Sequence, residues 1–310
     1  MTGFRLFASI AAAVLLPACA SAQKQDVASS VQLTPDVVVA GSPELIRVSA
    51  PGATSVDGEW LGRKVQFFPG ARTGEWTALA GVDVEAPIGP STLKIHIIAM
   101  PDSADFSRTV EIHAAHYRTE SLGVQPKFVE PGPEALKQIH EQSEVKAKVF
   151  ASSAPEPLWH GDFHAPVAAA ATDSFGVRRM FNGKLASIHK GADFRAHTGT
   201  PVHAANSGVV VLARPLYFEG NCVIIDHGMG LFTESMHFSR IDVKEGQHVN
   251  TGDVLGLSGA TGRVTGPHLH WAVRWQGASL DPIKLLHLNL SGSTPPSKKT
   301  AAHPHHHRPR

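Results

Sequence analysis

The sequence predicts a mainly β protein in which two β units are joined by a helix. Three observations carry this. Alternation of period two recurs in the first half: Leu93, Ile95 and Ile97 form one series, and Val110, Ile112 and Ala114 alternate with Thr109, Glu111 and His113. Turn-forming clusters break that half into short segments, at Ala50-Pro51-Gly52, Pro69-Gly70, Arg72-Thr73-Gly74 and Ile88-Gly89-Pro90. In the second half, Val209-Val210-Val211-Leu212 and Cys222-Val223-Ile224-Ile225 are short continuous apolar runs, as expected of strands in a buried sheet.

The elements follow in chain order. Residues 6–16 are apolar and follow Arg5. They are too short to span a bilayer and have the form of a signal-peptide core, so residues 1–22 are read as a signal peptide. Two exits fit. Ala20-Ser21-Ala22 is a small-residue cleavage site, whereas Leu16-Pro17-Ala18-Cys19 resembles a lipobox that would leave Cys19 lipidated. Both predict export to the periplasm or cell envelope, with a lipid anchor in the second case and no transmembrane helix in the mature form. Residues 23–30 read as a polar tether. Residues 31–115 read as an immunoglobulin-like β-sandwich with no catalytic cluster, hence an accessory unit.

Residues 116–159 form a linker with a helix over 134–150. Pro131-Gly132-Pro133 opens it, and Glu134 suits its first turn. Glu144 and Lys148 make an i,i+4 pair. Leu136, Ile139 and Val149 give a partial apolar stripe, which suits a packed helix. Residues 160–290 form the second β unit. Residues 291–310 hold Pro295, Pro296, His303, His305, His306 and His307, and read as a disordered tail.

Composition narrows the function. With 310 residues, 42% hydrophobic and 18% charged, the chain can bury cores and fits about two domains. A formal net charge of +1 leaves no basic field to drive nucleic-acid binding. Cys19 and Cys222 are the only cysteines. No disulfide framework is expected, and Cys222, among aliphatic neighbours, reads as a small buried hydrophobe.

Chemistry concentrates in three pieces of the second unit: His189-Lys190-Gly191-Ala192-Asp193, Met236-His237 and Gly266-Pro267-His268-Leu269-His270-Trp271. In a strand His268 and His270 share a face, with Cβ atoms roughly 6–7 Å apart. Both can ligate one metal, or one can ligate while the other works beside it. A straight strand would hold His189 and Asp193 roughly 13 Å apart. Joint ligation therefore requires a bend, which Gly191 permits. Two His and one Asp supply the three protein ligands of a catalytic zinc site with an open fourth position.

In this order the motifs resemble those of the LytM/lysostaphin-type peptidases, family M23. Similar segments include Phe175-Gly176-Val177-Arg178, Gly199-Thr200-Pro201-Val202, Asp226-His227-Gly228, Gly252-Asp253-Val254-Leu255-Gly256 and Ser258-Gly259-Ala260-Thr261-Gly262. The resemblance covers roughly residues 160–285 and implies an antiparallel β catalytic domain of the LytM type, binding one Zn2+ per chain. It assigns His189, Asp193 and His270 as metal ligands and His237 and His268 as catalytic histidines, without deciding which is the general base. Arg178 is expected to anchor a loop or contact a substrate carboxylate. Ser235 stands where the family usually has Tyr, and Tyr217 is the one candidate for an auxiliary oxyanion donor in this domain. His164, His197, His203, His227, His248 and His287 are expected at the surface or behind the site.

The function so implied is a zinc-dependent endopeptidase acting on peptide bonds of peptidoglycan cross-links or stem peptides. Two alternatives share the fold: a non-enzymatic regulator of cell-wall amidases, and an exported metalloprotease acting on proteins.

Overall fold

The computed structural model describes residues 31–100, 103–121, 126–172, 175–181 and 184–291. The signal segment with Cys19, the tether at 23–30 and the His-rich tail lie outside the described residues. The first eight strands are β1 (Val31–Thr34), β2 (Pro43–Ser49), β3 (Ala53–Trp60), β4 (Arg63–Gln66), β5 (Phe68–Pro69), β6 (Glu75–Gly81), β7 (Gly89–Ala99) and β8 (Ala104–Ile112). They form two four-stranded antiparallel sheets, in the orders β1-β2-β6-β5 and β4-β3-β7-β8. Leu93, Ile95 and Ile97 on β7 face the core with Val110 and Ile112 on β8. The second alternation stops one step earlier than expected. Ala114 is exposed, because β8 ends at Ile112 and the chain leaves the sheet there.

The connection adds a short strand, β9 (Thr119–Ser121), and a helix, α1 (Pro133–Ala151). Proline at the start of α1 loses no helical hydrogen bond, and Glu134 lies against the positive end of the helix. Leu136, read as part of the apolar stripe, is 54% exposed. The packed face lies toward the other end, where Val145, Val149 and Phe150 cover Leu212, Leu216, Cys222, Ile224 and Phe232. Cys222 is fully buried there, in keeping with its expected role as a core residue.

The remaining strands are β10 (Arg178–Phe181), β11 (Lys184–Ile188), β12 (Ala192–Phe194), β13 (Pro201–His203), β14 (Gly208–Leu216), β15 (Gly220–Asp226), β16 (Leu231–Phe238), β17 (Arg240–Ile241), β18 (His248–Val249), β19 (Val254–Leu257), β20 (Leu269–Trp275) and β21 (Ala278–Leu280). They are followed by a short helix, α2 (Pro282–Leu286), capped by the Asp281 carboxylate. The main sheet runs β12-β20-β16-β15-β14-β18, with β21 also paired to β20. Every pairing within it is antiparallel. β9 pairs in parallel with β10 and forms the edge of a separate three-stranded sheet, β11-β10-β9.

The main sheet buries its two faces differently. Leu231, Thr233, Trp271, Val273 and Trp275 face the larger core. The opposite face carries Phe232 and Glu234 beneath α1 and ends at His270 and Asp193. Helix and site therefore share one face of one sheet.

Candidate metal centre and active site

Asp193 and His270 lie directly opposite each other on β12 and β20, so their side chains leave the same face of the sheet. His268 precedes His270 by two residues, at an isolated bridge to Gly259. His189 follows β11, and the chain bends at Gly191 before β12 begins, as joint ligation requires. A side chain at 191 would obstruct the site, since a Cβ there would lie 2.4 Å from His270 Nε2.

The three proposed ligand atoms form a compact triangle. His189 Nε2 lies 2.9 Å from His270 Nδ1. Asp193 Oδ1 lies 3.1 Å from His189 Nε2 and 3.0 Å from His270 Nδ1. A tetrahedral ion bound at ~2.0–2.1 Å would hold its ligand atoms roughly 3.3 Å apart, so a small cation fits with a slight opening of the triangle. The donor chemistry agrees: three lone-pair atoms converge, and a cation at the apex engages all of them together. Among the described residues, this is the group with metal-ligand geometry. Arg179 Nη2 donates to the other carboxylate oxygen, Asp193 Oδ2, at 3.2 Å. That leaves Oδ1 for the triangle.

His237 ends the regular part of β16 with φ 66°, a left-handed conformation uncommon outside glycine. Two carbonyls hold it there. Its backbone N–H donates to Glu219 O at 2.9 Å, and its Nδ1 donates to Thr261 O at 2.9 Å. Gly220 makes this possible, because a Cβ at 220 would lie 2.4 Å from the Thr261 carbonyl. His268 Nδ1 donates to Gly266 O at 2.8 Å. A carbonyl only accepts, so in each ring a proton sits on Nδ1 and Nε2 points away from that carbonyl. The two rings lie 4.9 Å apart between centroids, and His268 Nε2 is 3.7 Å from Asp193 Oδ1.

The electrostatics follow from burial. Burial alone would raise the Asp193 carboxyl, but hydrogen bonds from His189 and His270 hold it well below the usual carboxylate range. Burial lowers His270, and Asp193 pulls against that effect. Burial, reinforced by His270 and His268, lowers His237 to about 3 and keeps it neutral. Outside the site, burial lowers His227 to about 4. Its Nδ1 donates to Ser207 O and its Nε2 accepts from the Thr233 hydroxyl, so it is a buried hydrogen-bonder at the end of β15. His164, His197, His248 and His287 are exposed, and His203 Nδ1 donates to Gly252 O.

A cleft of about 380 Å³ opens onto Asp193, His237, His268 and His270. Three arginines line it: Arg118 from the linker, Arg179 from β10 and Arg263 from the loop before His268. Of the adjacent pair Arg178-Arg179, the second lines the cleft. Arg178 lines a different depression, with Ala40, Val84 and Ile88. Neighbours in a strand face opposite ways, and the motif alone does not say which faces the metal ligands. Tyr217 is also away from the cleft, with its hydroxyl donating to Lys127 O at 2.9 Å. A larger depression of about 660 Å³ lies on the β4-β3-β7-β8 sheet, but no metal-ligand cluster accompanies it among the described residues.

The family model described as Peptidase family M23 matches residues 187–282. Peptidoglycan DD-endopeptidase ShyA of Vibrio cholerae serotype O1 is 42% identical over 125 residues, covering 40% of this chain and 29% of its own. DD-carboxypeptidase/endopeptidase Mpg of Neisseria meningitidis serogroup B is 40% identical over 98 residues, covering 32% and 23%. The chain thus spans less than a third of these curated relatives. Similarity extends further for a crystal structure of an M23 peptidase candidate from Pseudomonas aeruginosa. It is 28% identical with a TM-score of 0.63, covering 80% of this chain and 94% of that one. Residues 187–282, which contain both imidazoles of the triangle, its carboxylate and the two further histidines, form a domain of peptidase family M23.

Proposed function

We propose that the protein is a zinc metalloendopeptidase that hydrolyses peptide bonds in peptidoglycan cross-links or stem peptides, after export to the periplasm or cell envelope. The observation that carries this is the triangle of His189 Nε2, Asp193 Oδ1 and His270 Nδ1 beside a cleft that also presents His237 and His268. Two imidazoles and a carboxylate with an open fourth position form the donor set of a catalytic zinc site. The names of the curated relatives supply the substrate class. In this reading residues 31–115 are an accessory unit, 116–159 a linker and 160–290 the peptidase domain.

His189, Asp193 and His270 would hold the zinc, with Arg179 fixing the carboxylate. A zinc ion held by these residues would make water a usable nucleophile near neutral pH and polarise a carbonyl. His237, kept neutral by burial, offers an Nε2 lone pair, and His268 has its Nδ1 on Gly266 O, its Nε2 facing away from that carbonyl. One takes the proton from the attacking water, and the pair delivers a proton to the leaving nitrogen. The carbonyls of Thr261 and Gly266 keep both rings in the tautomer this needs.

Metal analysis and digestion of purified sacculi test the proposal. The full chain is expected to carry about one zinc and to release muropeptides. His189→Ala and His270→Ala are expected to lose metal, and His237→Ala and His268→Ala to keep it while losing at least about a hundredfold in turnover. A metal-free chain of unchanged stability, or cleavage of protein substrates with intact sacculi, would contradict it.

A further inference from the structure

The cleft carries more positive charge than the metal centre explains. Arg118, Arg179 and Arg263 line it against two carboxylates, Glu120 and Asp193. Asp193 is already engaged by His189, His270 and Arg179. Arg179 Nε is buried with no hydrogen-bond partner among the described residues. Arg263 is held rather than loose: its backbone N–H donates to Phe218 O at 2.8 Å, and its guanidinium lies 4.4 Å from the Phe218 ring centroid. Burial and the nearby Arg179 charge lower its guanidinium from the ordinary value, with the Glu219 carboxylate pulling the other way. Two cations have thus been brought together in a partly buried wall of the cleft. An arrangement of that kind is relieved by an anion, and a planar guanidinium suits a carboxylate.

Arg263 also has a telling place in the chain. It lies two residues after Thr261, whose carbonyl holds His237, and five before His268. The loop that carries it therefore connects the supports of both histidines that handle the leaving nitrogen. A group read by this loop belongs to the leaving side of the scissile bond.

We propose that Arg263, with Arg118 at the cleft rim, is a specificity subsite for a free carboxylate on the amino acid whose nitrogen departs. The inference rests on the peptidase reading and narrows its substrate class. A terminal D-Ala and a cross-linked diaminopimeloyl residue both carry a carboxylate one carbon from the scissile nitrogen, so one subsite serves both. An internal glycyl-glycine bond carries none and is excluded. Arg179 is a positioning residue for Asp193 and contributes charge to the same wall.

The test separates binding from turnover. The probes are the stem pentapeptide L-Ala-γ-D-Glu-meso-diaminopimeloyl-D-Ala-D-Ala and its C-terminal amide, titrated calorimetrically into the full chain stripped of metal. The free acid is expected to bind at least about tenfold more tightly than the amide, as one charge-assisted contact allows. Arg263→Gln should abolish that preference, Arg263→Lys should retain part of it, and Arg118→Gln should weaken it, each with an unchanged thermal midpoint. Equal binding of acid and amide to the unaltered chain would overturn the proposal. So would a preference that survives both Arg263→Gln and Arg118→Gln. If Arg263→Gln does not fold, Arg263→Lys and Arg118→Gln decide. The zinc-loaded chain should also leave pentaglycine intact, and its cleavage would overturn the proposal. If the zinc-loaded chain cuts none of these peptides while the acid preference holds, the peptidase reading fails and the carboxylate subsite stands.

Discussion

Gly191 shows how much of the site depends on a missing side chain. The expected bend is present, and the residue there also lies against the back of the His270 ring. We expect Gly191→Ala to fold, because no positive φ is required at 191, but to push His270 off the triangle. A competition titration with a chromophoric chelator should show zinc affinity lowered at least about tenfold, the scale of a disturbed ligand environment. Unchanged affinity would mean that the ring has room the structure denies. At this scale the sequence was legible where chemistry is written in residue types. His189, Asp193, His237, His268 and His270 could be picked out from motifs, and the structure brings all five to one place. It was not legible where direction matters, as Arg178 and Arg179 show.

Helix α1 acts through one cation. Lys146 Nζ reaches Glu219 Oε1 and Glu234 Oε2, both at 2.8 Å, across the face of the main sheet. Burial would lower the Lys146 ammonium, but the charges of Glu234 and Glu219 hold it above its usual range. Lys146 in turn holds the Glu219 carboxyl below its own. The backbone carbonyl of Glu219 fixes His237, so the contact joins helix α1 to the strand that carries His237. Lys146→Met would leave two carboxylates without this cation in a poorly hydrated site. A loss of about 3–5 kcal/mol is expected in urea unfolding at pH 7, with the midpoint difference shrinking as acid neutralises the carboxylates. A change below ~1 kcal/mol would show that the helix is only loosely attached. Proline and Glu134 revealed the helix in the sequence. Its partners did not show, because they lie far along the chain and no local pattern links them.

Over the whole molecule, the two β units are interlocked. Arg63 donates to Gln276 O, Gln276 donates back to Lys64 O, and Asp83 accepts from the Ser279 backbone. Leu280 packs so closely on Gly81 that a Cβ there would meet it at 2.4 Å. Glu44, on β2, is fully buried near this junction. Ser42 Oγ has one proton and contacts both Val39 O and the Glu44 carboxyl, so a protonated Glu44 completes the network. Burial raises Glu44 to about 8, against the lesser pull of Ser42 and Lys284. Its contribution to stability is therefore full below the unfolded value of 4.5 and is lost as pH rises through about 8. Glu44→Gln should match the unaltered chain near pH 4 and exceed it at pH 8 by on the order of 4 kcal/mol in denaturant unfolding. A difference independent of pH would contradict this account. The mainly β class and the strands of both halves were legible from alternation and turn residues. The junction was not, because a buried carboxyl in a β-strand looks in sequence like any solvated one.

The central claim is that His189, Asp193 and His270 grip one divalent ion. Anomalous diffraction at the zinc edge, on crystals of the zinc-loaded protein, tests it most directly. The expected result is one strong peak ~2.0–2.1 Å from His189 Nε2, His270 Nδ1 and an Asp193 carboxylate oxygen, with His237 and His268 near its open side. Zinc bound elsewhere, or no peak between those three side chains at full loading, would contradict the account.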